Sequence, residues 1–249
     1  MNEEKFTFKS EILGNERSIW IQKPEASVSS ENLLIILDGE LYREHVGAPE
    51  IIEKLVKEKR IEPTIIVYVS YCTKEARWIE CPCHLPFANF ISDELYPWLV
   101  STLPELVNIK ERIIAGLSYT GLAASFVAIE SEGLFHKVIS QSGSYWSNEC
   151  KISKKLKDHD RKLNLSFYLD VGNQEIETNV KHKEDVIQKV SQISGVERFR
   201  DVLISKGIQT EYKVFNGGHS FEAWAQTLPQ ALIWALSPTR CGSQSLAAS

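Results

Sequence analysis

Residues 111–121 read Glu-Arg-Ile-Ile-Ala-Gly-Leu-Ser-Tyr-Thr-Gly. A β-branched run enters Gly116, Ser118 follows two positions later, and an Ala-rich helical stretch begins after Gly121. Such a pattern presents a serine hydroxyl on a sharp strand-to-helix turn, with the backbone N–H of the next residue facing the same space. The usual spacing is Gly-x-Ser-x-Gly. Here Thr120 takes the second glycine position and glycine comes one step later. A serine becomes nucleophilic when a base removes its proton and an acid orients that base. In the chain order nucleophile, acid, base, Ser118 is followed by an acidic segment and then by Asn216-Gly217-Gly218-His219. The two glycines let the backbone turn tightly and set the His219 imidazole over the sheet. The other histidines fit less well. His182 falls in a charged segment read as an exposed helix, His136 and His159 precede the acid, and His45 and His84 come too early.

The acid is expected at Glu175, three residues past Gly172, where it can reach the histidine loop. Asp170 is next, although it lies within a strand run, and Glu177 is close by. A Ser–His dyad with a solvated carboxylate is the alternative. The tetrahedral intermediate needs hydrogen-bond donors for its oxyanion. One is the N–H of Tyr119. The second is expected from Asp38-Gly39-Glu40, through Gly39 or Glu40.

Strands alternating with helices must carry these groups. Phe6–Leu13 and Ser18–Gln22 read as an opening β-hairpin around Gly14-Asn15. Leu33–Leu37 and Thr64–Tyr71 are continuous apolar runs, the pattern of strands buried on both faces. Ile113-Ile114, Val138–Ser142, Leu165–Val171 and Tyr212–Phe215 are further strands. Helices are expected at Ile51–Lys59, Phe87–Leu103 with a kink or a break at Pro97, Leu122–Glu130, Glu184–Ser191, Val196–Ser205 and Phe221–Leu236. This alternation implies a mostly parallel sheet covered on both faces. Gly39, Ser118, Glu175 and His219 all follow strand ends, the edge where such sheets hold their sites. One domain is expected over 1–236, with a frayed tail over 237–249.

The 249 residues, 43% apolar and 24% charged, suit a folded core. A net charge of −5 leaves no basic stripe for nucleic acid. No apolar run approaches the ~20 residues of a membrane span, and the first residues lack a signal peptide's features, so a cytoplasmic location is expected. The five cysteines then read as free thiols. Cys81-Pro-Cys83-His84 lacks the second ligand pair that a zinc site needs, so neither metal nor cofactor is expected. Oligomeric state is not legible.

Three stretches together carry a family resemblance: Gly116-Leu-Ser118-Tyr-Thr-Gly121-Leu, then Ser-Gln-Ser-Gly-Ser-Tyr-Trp146, then Asn216-Gly-Gly-His219. With Leu37-Asp-Gly-Glu40 and Arg77-Trp-Ile-Glu80 through Trp98, they are similar to the enterochelin esterase branch of the esterase D/feruloyl esterase-like α/β-hydrolases. The resemblance covers about residues 30–236. It implies an α/β-hydrolase fold and hydrolysis of a small-molecule ester, siderophore-type or simple acyl or aryl. It further implies Ser118 as nucleophile, His219 as base, Glu175 as acid, and Arg77 and Trp146 in the substrate cleft. The aromatic residues beside the motifs, Tyr42, Tyr119, Tyr145, Trp146 and Trp224, extend that cleft, whereas Trp78 and Trp98 read as packing. Two rival readings use the same residues: a non-catalytic hydrolase-like binding protein, and an acyltransferase or thioesterase.

Overall fold

In a computed structural model, residues 2–25, 28–131, 133–158 and 162–238 are described. His159, Cys241 and the tail beyond Pro238 lie outside them. Asn2–Ser10 (β1) and Asn15–Lys23 (β2) pair antiparallel, from Asn2 opposite Lys23 to Ser10 opposite Asn15. The main sheet continues through Asn32–Leu37 (β3), Thr64–Val69 (β4), Glu111–Leu117 (β5), Lys137–Gln141 (β6), Ser166–Gly172 (β7) and Gln209–Phe215 (β10). A separate two-stranded hairpin is formed by Val180–Lys183 (β8) and Val186–Gln188 (β9). The eight-stranded order is β1-β2-β4-β3-β5-β6-β7-β10. Within that sheet, only the β1–β2 and β2–β4 pairs are antiparallel.

The centre of the sheet is dry. Leu33 to Leu37 are all buried, and Leu34 and Ile36 stand opposite Ile113 and Ala115 of β5. One face packs on helices Ser118–Glu130 and Gln192–Ser205, through Leu122, Phe126, Val196 and Phe199. The other packs on Ala48–Lys57 and Phe221–Leu236, through Ile52, Leu55, Leu228 and Leu232. Burying both faces is what parallel strands require. The opening hairpin extends the sheet through β2 on β4 and is pinned further by its side chains. Phe6 and Phe8 meet Trp98 edge-on at 5.4 and 5.3 Å. The buried Arg17 pairs with Glu80 at 3.0 Å.

Two expectations are corrected. Glu184–Ser191 is not a helix, because β8 and β9 turn there around Glu184-Asp185. Phe87–Leu103 does not break at Pro97. A π-type turn occupies Phe90–Leu95, and Pro97 falls in the first turn of Tyr96–Thr102, where a missing N–H costs little. No helix among the described residues is long and apolar enough to cross a membrane. Among those residues, no three His, Cys, Asp or Glu side chains are grouped to hold a metal ion. Cys81 and Cys83 are buried thiols, both pushed above the ordinary thiol range by burial.

Candidate active site

Ser118 is the first residue of its helix and has φ 52°, the left-handed region that a non-glycine residue rarely occupies. The turn is tight enough to specify its neighbours. A Cβ on Gly116 would lie 2.2 Å from the Thr120 carbonyl oxygen, and one on Gly121 would lie 2.7 Å from Ser140 Oγ. The close approach between helix and sheet thus falls at Gly121 rather than at residue 120. Thr120 fits because its hydroxyl turns to the strand end, accepting from Leu117 N–H at 3.1 Å.

The loops after β7 and β10 bring the other two groups in. They are tied together by Gln174 N–H to the Gly217 carbonyl at 3.0 Å and Asn173 N–H to the Phe215 carbonyl at 2.9 Å. Neither Gly217 nor Gly218 has a positive φ, so this backbone tie, and not left-handed glycine geometry, shapes the histidine loop. His219 Nε2 lies 2.9 Å from Ser118 Oγ, and Nδ1 lies 2.5 Å from Glu175 Oε2. The Glu175 side chain is 1% exposed and that of His219 41%. The other Glu175 oxygen, Oε1, accepts Gly172 N–H at 2.7 Å and Ser142 Oγ–H at 2.6 Å. A buried carboxylate is tolerable when its lone pairs are met in this way. The hydroxyl, imidazole and carboxylate in series can pass a proton from serine to imidazole and hold the resulting charge.

Asp170, the other acid considered, lies beneath this array. It is fully buried and accepts Ser142 N–H on Oδ1 at 3.2 Å. Burial pushes its carboxyl up to about 7, with the Glu175 charge adding and the Ser142 amide opposing. Ser142, at φ 47°, therefore links both acids, and its Oγ also accepts Trp224 Nε1–H at 3.0 Å.

Tyr119 is the second residue of the elbow helix, and Gly39 and Glu40 open the helical turn Gly39–Leu41. N–H groups in a first turn have no intrahelical acceptor. A Cβ on Gly39 would sit 2.8 Å from Tyr68 Cβ, so only glycine passes there. The Glu40 carboxyl is pushed up to about 7, chiefly by burial and further by Asp38, with the Glu40 and Tyr71 backbone amides opposing.

Two lobes of the cleft meet at Ser118 and His219. One, of about 470 Å³, is walled by Trp78, Tyr119, Trp146 and His182. The other, of about 530 Å³, is lined by Leu41, Tyr71, Phe221 and Trp224. Trp78 is a cleft residue and not mere packing. His182 lies on β8, stacked on Trp146 with centroids 5.0 Å apart and rings 6° from parallel. Neither placement has a local sequence signal: Trp78, on the helix Lys74–Glu80, meets Tyr119 edge-on at 4.7 Å, and His182 is carried to the cleft by the β8–β9 hairpin. Tyr42 does not reach the cleft. It is fully buried under the sheet and donates from its hydroxyl to Gln141 Oε1 at 3.0 Å. Tyr145 is likewise buried, its hydroxyl 2.7 Å from Ser125 and Ser140 Oγ. Arg77 borders both lobes, but its guanidinium is paired with Asp38. His45 stacks on Phe221 at 4.7 Å, at the outer side of the second lobe.

The family described as "Putative esterase" matches residues 10–235. The chain is 26% identical over 237 residues to the iron(III) enterobactin esterase of Dickeya dadantii, covering 92% of this chain and 54% of that one. It is 29% identical over 140 residues to the iron(III) enterobactin esterase of Escherichia coli K12, covering 56% of this chain and 35% of that one. The chain thus spans about half the length, or less, of these curated relatives. Among solved structures, the enterobactin esterase from Shigella flexneri determined with enterobactin aligns with a TM-score of 0.80 and 23% identity, over 94% of this chain and 58% of that one. The siderophore hydrolase EstB from Aspergillus nidulans aligns with a TM-score of 0.71 and 16% identity, over 94% and 95%. These likenesses identify the α/β-hydrolase fold.

Proposed function

The chain belongs to the Putative esterase family, and from that premise we propose that it is a serine carboxylic ester hydrolase working through an acyl-enzyme. The observation that carries this reading is the line Ser118 Oγ, His219, Glu175, with contacts of 2.9 and 2.5 Å. Ser118 Oγ attacks the ester carbonyl as His219 Nε2 takes its proton. Glu175 keeps the Nδ1 proton in place and stabilises the imidazolium. The oxyanion is met by the Tyr119 N–H and by an amide of the Gly39–Glu40 turn. Collapse of the intermediate expels the alcohol, which takes the proton from His219. Water then attacks the acyl-enzyme with His219 again as base.

The substrate is a small-molecule ester with an aromatic group. The walls of Trp78, Tyr119, Trp146 and His182 suit a flat ring. The curated relatives are named for iron(III) enterobactin, which makes siderophore esters the first candidates and simple aryl esters the next. The eight-stranded sheet supports one hydrolase domain over 1–236. A cytoplasmic location accords with the described cysteines being thiols.

Turnover of p-nitrophenyl butyrate by wild type and Ser118→Ala, followed by short acyl, feruloyl and catecholate trilactone esters, tests this. Loss of turnover in the variant and a preference for the aromatic esters are expected. Equal turnover by the two proteins would end the proposal.

A further inference from the structure

The two amides proposed for the oxyanion come from separate segments. Tyr119 belongs to the elbow after β5, and Gly39 and Glu40 to the turn after β3. Their spacing must be held closely, because preorganised sites tolerate errors of only about 0.5 Å. One buried side chain stands between the two segments. Asp38 directly precedes the turn, has φ 53°, and its side chain is 0% exposed. Its carboxylate accepts Arg77 Nε–H on both oxygens, at 3.0 and 2.9 Å, and Arg77 Nη2–H on Oδ2 at 2.6 Å. Thr120 Oγ1 lies 3.0 Å from the same Oδ2.

Thr120 Oγ1 also accepts Leu117 N–H at 3.1 Å and lies 2.9 Å from the Leu117 carbonyl. Its one hydrogen can go to that carbonyl or to Asp38, and the charged carboxylate is the stronger acceptor. A chain then runs from Leu117 N–H through the Thr120 hydroxyl to Asp38. It joins the residue before the nucleophile to the residue before the second donor. A glycine at position 120, as in the common elbow, offers no such hydroxyl. Arg77 completes the arrangement. A lone carboxylate at Asp38 would oppose negative charge developing nearby, and the guanidinium neutralises it.

We propose that Thr120 and Asp38 are positioning residues that hold the oxyanion turn in register with the nucleophile elbow. This rests on the serine hydrolase reading above. The link acts on the transition state and not on substrate binding. Misplacing a catalytic group by about 1 Å can cost as much as 10²-fold in rate, and losing one oxyanion donor about 10²–10³-fold.

The test compares Thr120→Val, which keeps the shape and removes the hydroxyl, with Thr120→Ser, which keeps the hydroxyl. Turnover is expressed per serine titrated by a fluorophosphonate, so misfolded protein does not count. Thr120→Val is expected to lose about 10–100-fold in kcat with KM little changed. Its affinity for a reversible arylboronic acid, which forms a tetrahedral serine adduct, should fall in parallel. Thr120→Ser should restore both. A Thr120→Val enzyme with wild-type kcat and boronate affinity would overturn the inference while leaving the hydrolase reading intact. Equal losses in both variants would also overturn it, since the hydroxyl would then not be the cause. Undiminished turnover by Ser118→Ala would remove the hydrolase reading and this inference together.

Discussion

Replacing Glu175 by glutamine is expected to invert the protonation of His219 while changing almost nothing in shape. In the native site, Oε1 faces two donors, Gly172 N–H and Ser142 Oγ–H, and Oε2 faces His219 Nδ1. A glutamine has one accepting oxygen and one NH₂. The Gly172 amide is fixed backbone 2.7 Å away, so the accepting oxygen must stay on that side. The NH₂ then points at Nδ1, which must become an acceptor, and the ring proton moves to Nε2. That nitrogen faces Ser118 Oγ at 2.9 Å and can no longer take its proton. The same tautomer inversion in a serine protease costs about 10⁴ in kcat, equivalent to about 5.5 kcal/mol of barrier. We expect Glu175→Gln to lose about 10³–10⁴ in kcat with KM little changed, in p-nitrophenyl butyrate assays normalised to titrated sites. Asp170→Asn should stay within about tenfold, because Asp170 hydrogen-bonds to Ser142 rather than to His219, and it acts on Glu175 through its charge. An active Glu175→Gln enzyme, or an equal loss in Asp170→Asn, would refute the assignment.

Other outcomes follow from the same geometry. Gly116→Ala places a Cβ 2.2 Å from backbone and should cost about 3 kcal/mol or more in urea unfolding, whereas Gly14→Ala, left-handed but open, should cost only about 1 kcal/mol. His182→Ala removes one ring of the aromatic wall and should lower kcat/KM for aryl esters about 3–10-fold relative to acetyl esters. An equal change for both ester classes would deny the wall a role in selectivity. The Asp170 carboxyl sits at about 7 in the fold and near 3.8 when exposed. The folded protein therefore holds this proton more tightly, a contribution fully present below pH about 4 and lost as pH rises through 7. Wild type should lose stability relative to Asp170→Asn between pH 4 and 8, by on the order of a few kcal/mol. Parallel denaturation midpoints across that range would contradict this.

What the sequence disclosed was what is local. The elbow is legible because Gly116, Ser118 and Gly121 act on one another within a single turn. The central strands are legible because burial on both faces leaves an unbroken apolar run such as Leu33–Leu37. Contacts across the chain were hidden. Asp38 binds a guanidinium 39 residues away and a hydroxyl 82 away, and no spacing announces either. The β8–β9 hairpin is not legible because its strands are short, the three charged or polar residues in β8 after Val180 being too few to show a period and β9 being only Val186-Ile187-Gln188. Its placement comes from His182 lying on Trp146. Tyr42 was misplaced for a related reason. It adjoins the Gly39–Leu41 turn in sequence, but its ring is buried beneath the sheet with its hydroxyl on Gln141.

In the proposed mechanism Ser118 carries the acyl group. Rapid acid quenching during turnover of an aryl ester, followed by intact-mass analysis and peptide mapping, tests it most directly. One acyl adduct per chain is expected, on Ser118 and absent from Ser118→Ala. An adduct on another residue, or full turnover by Ser118→Ala without any adduct, would contradict it.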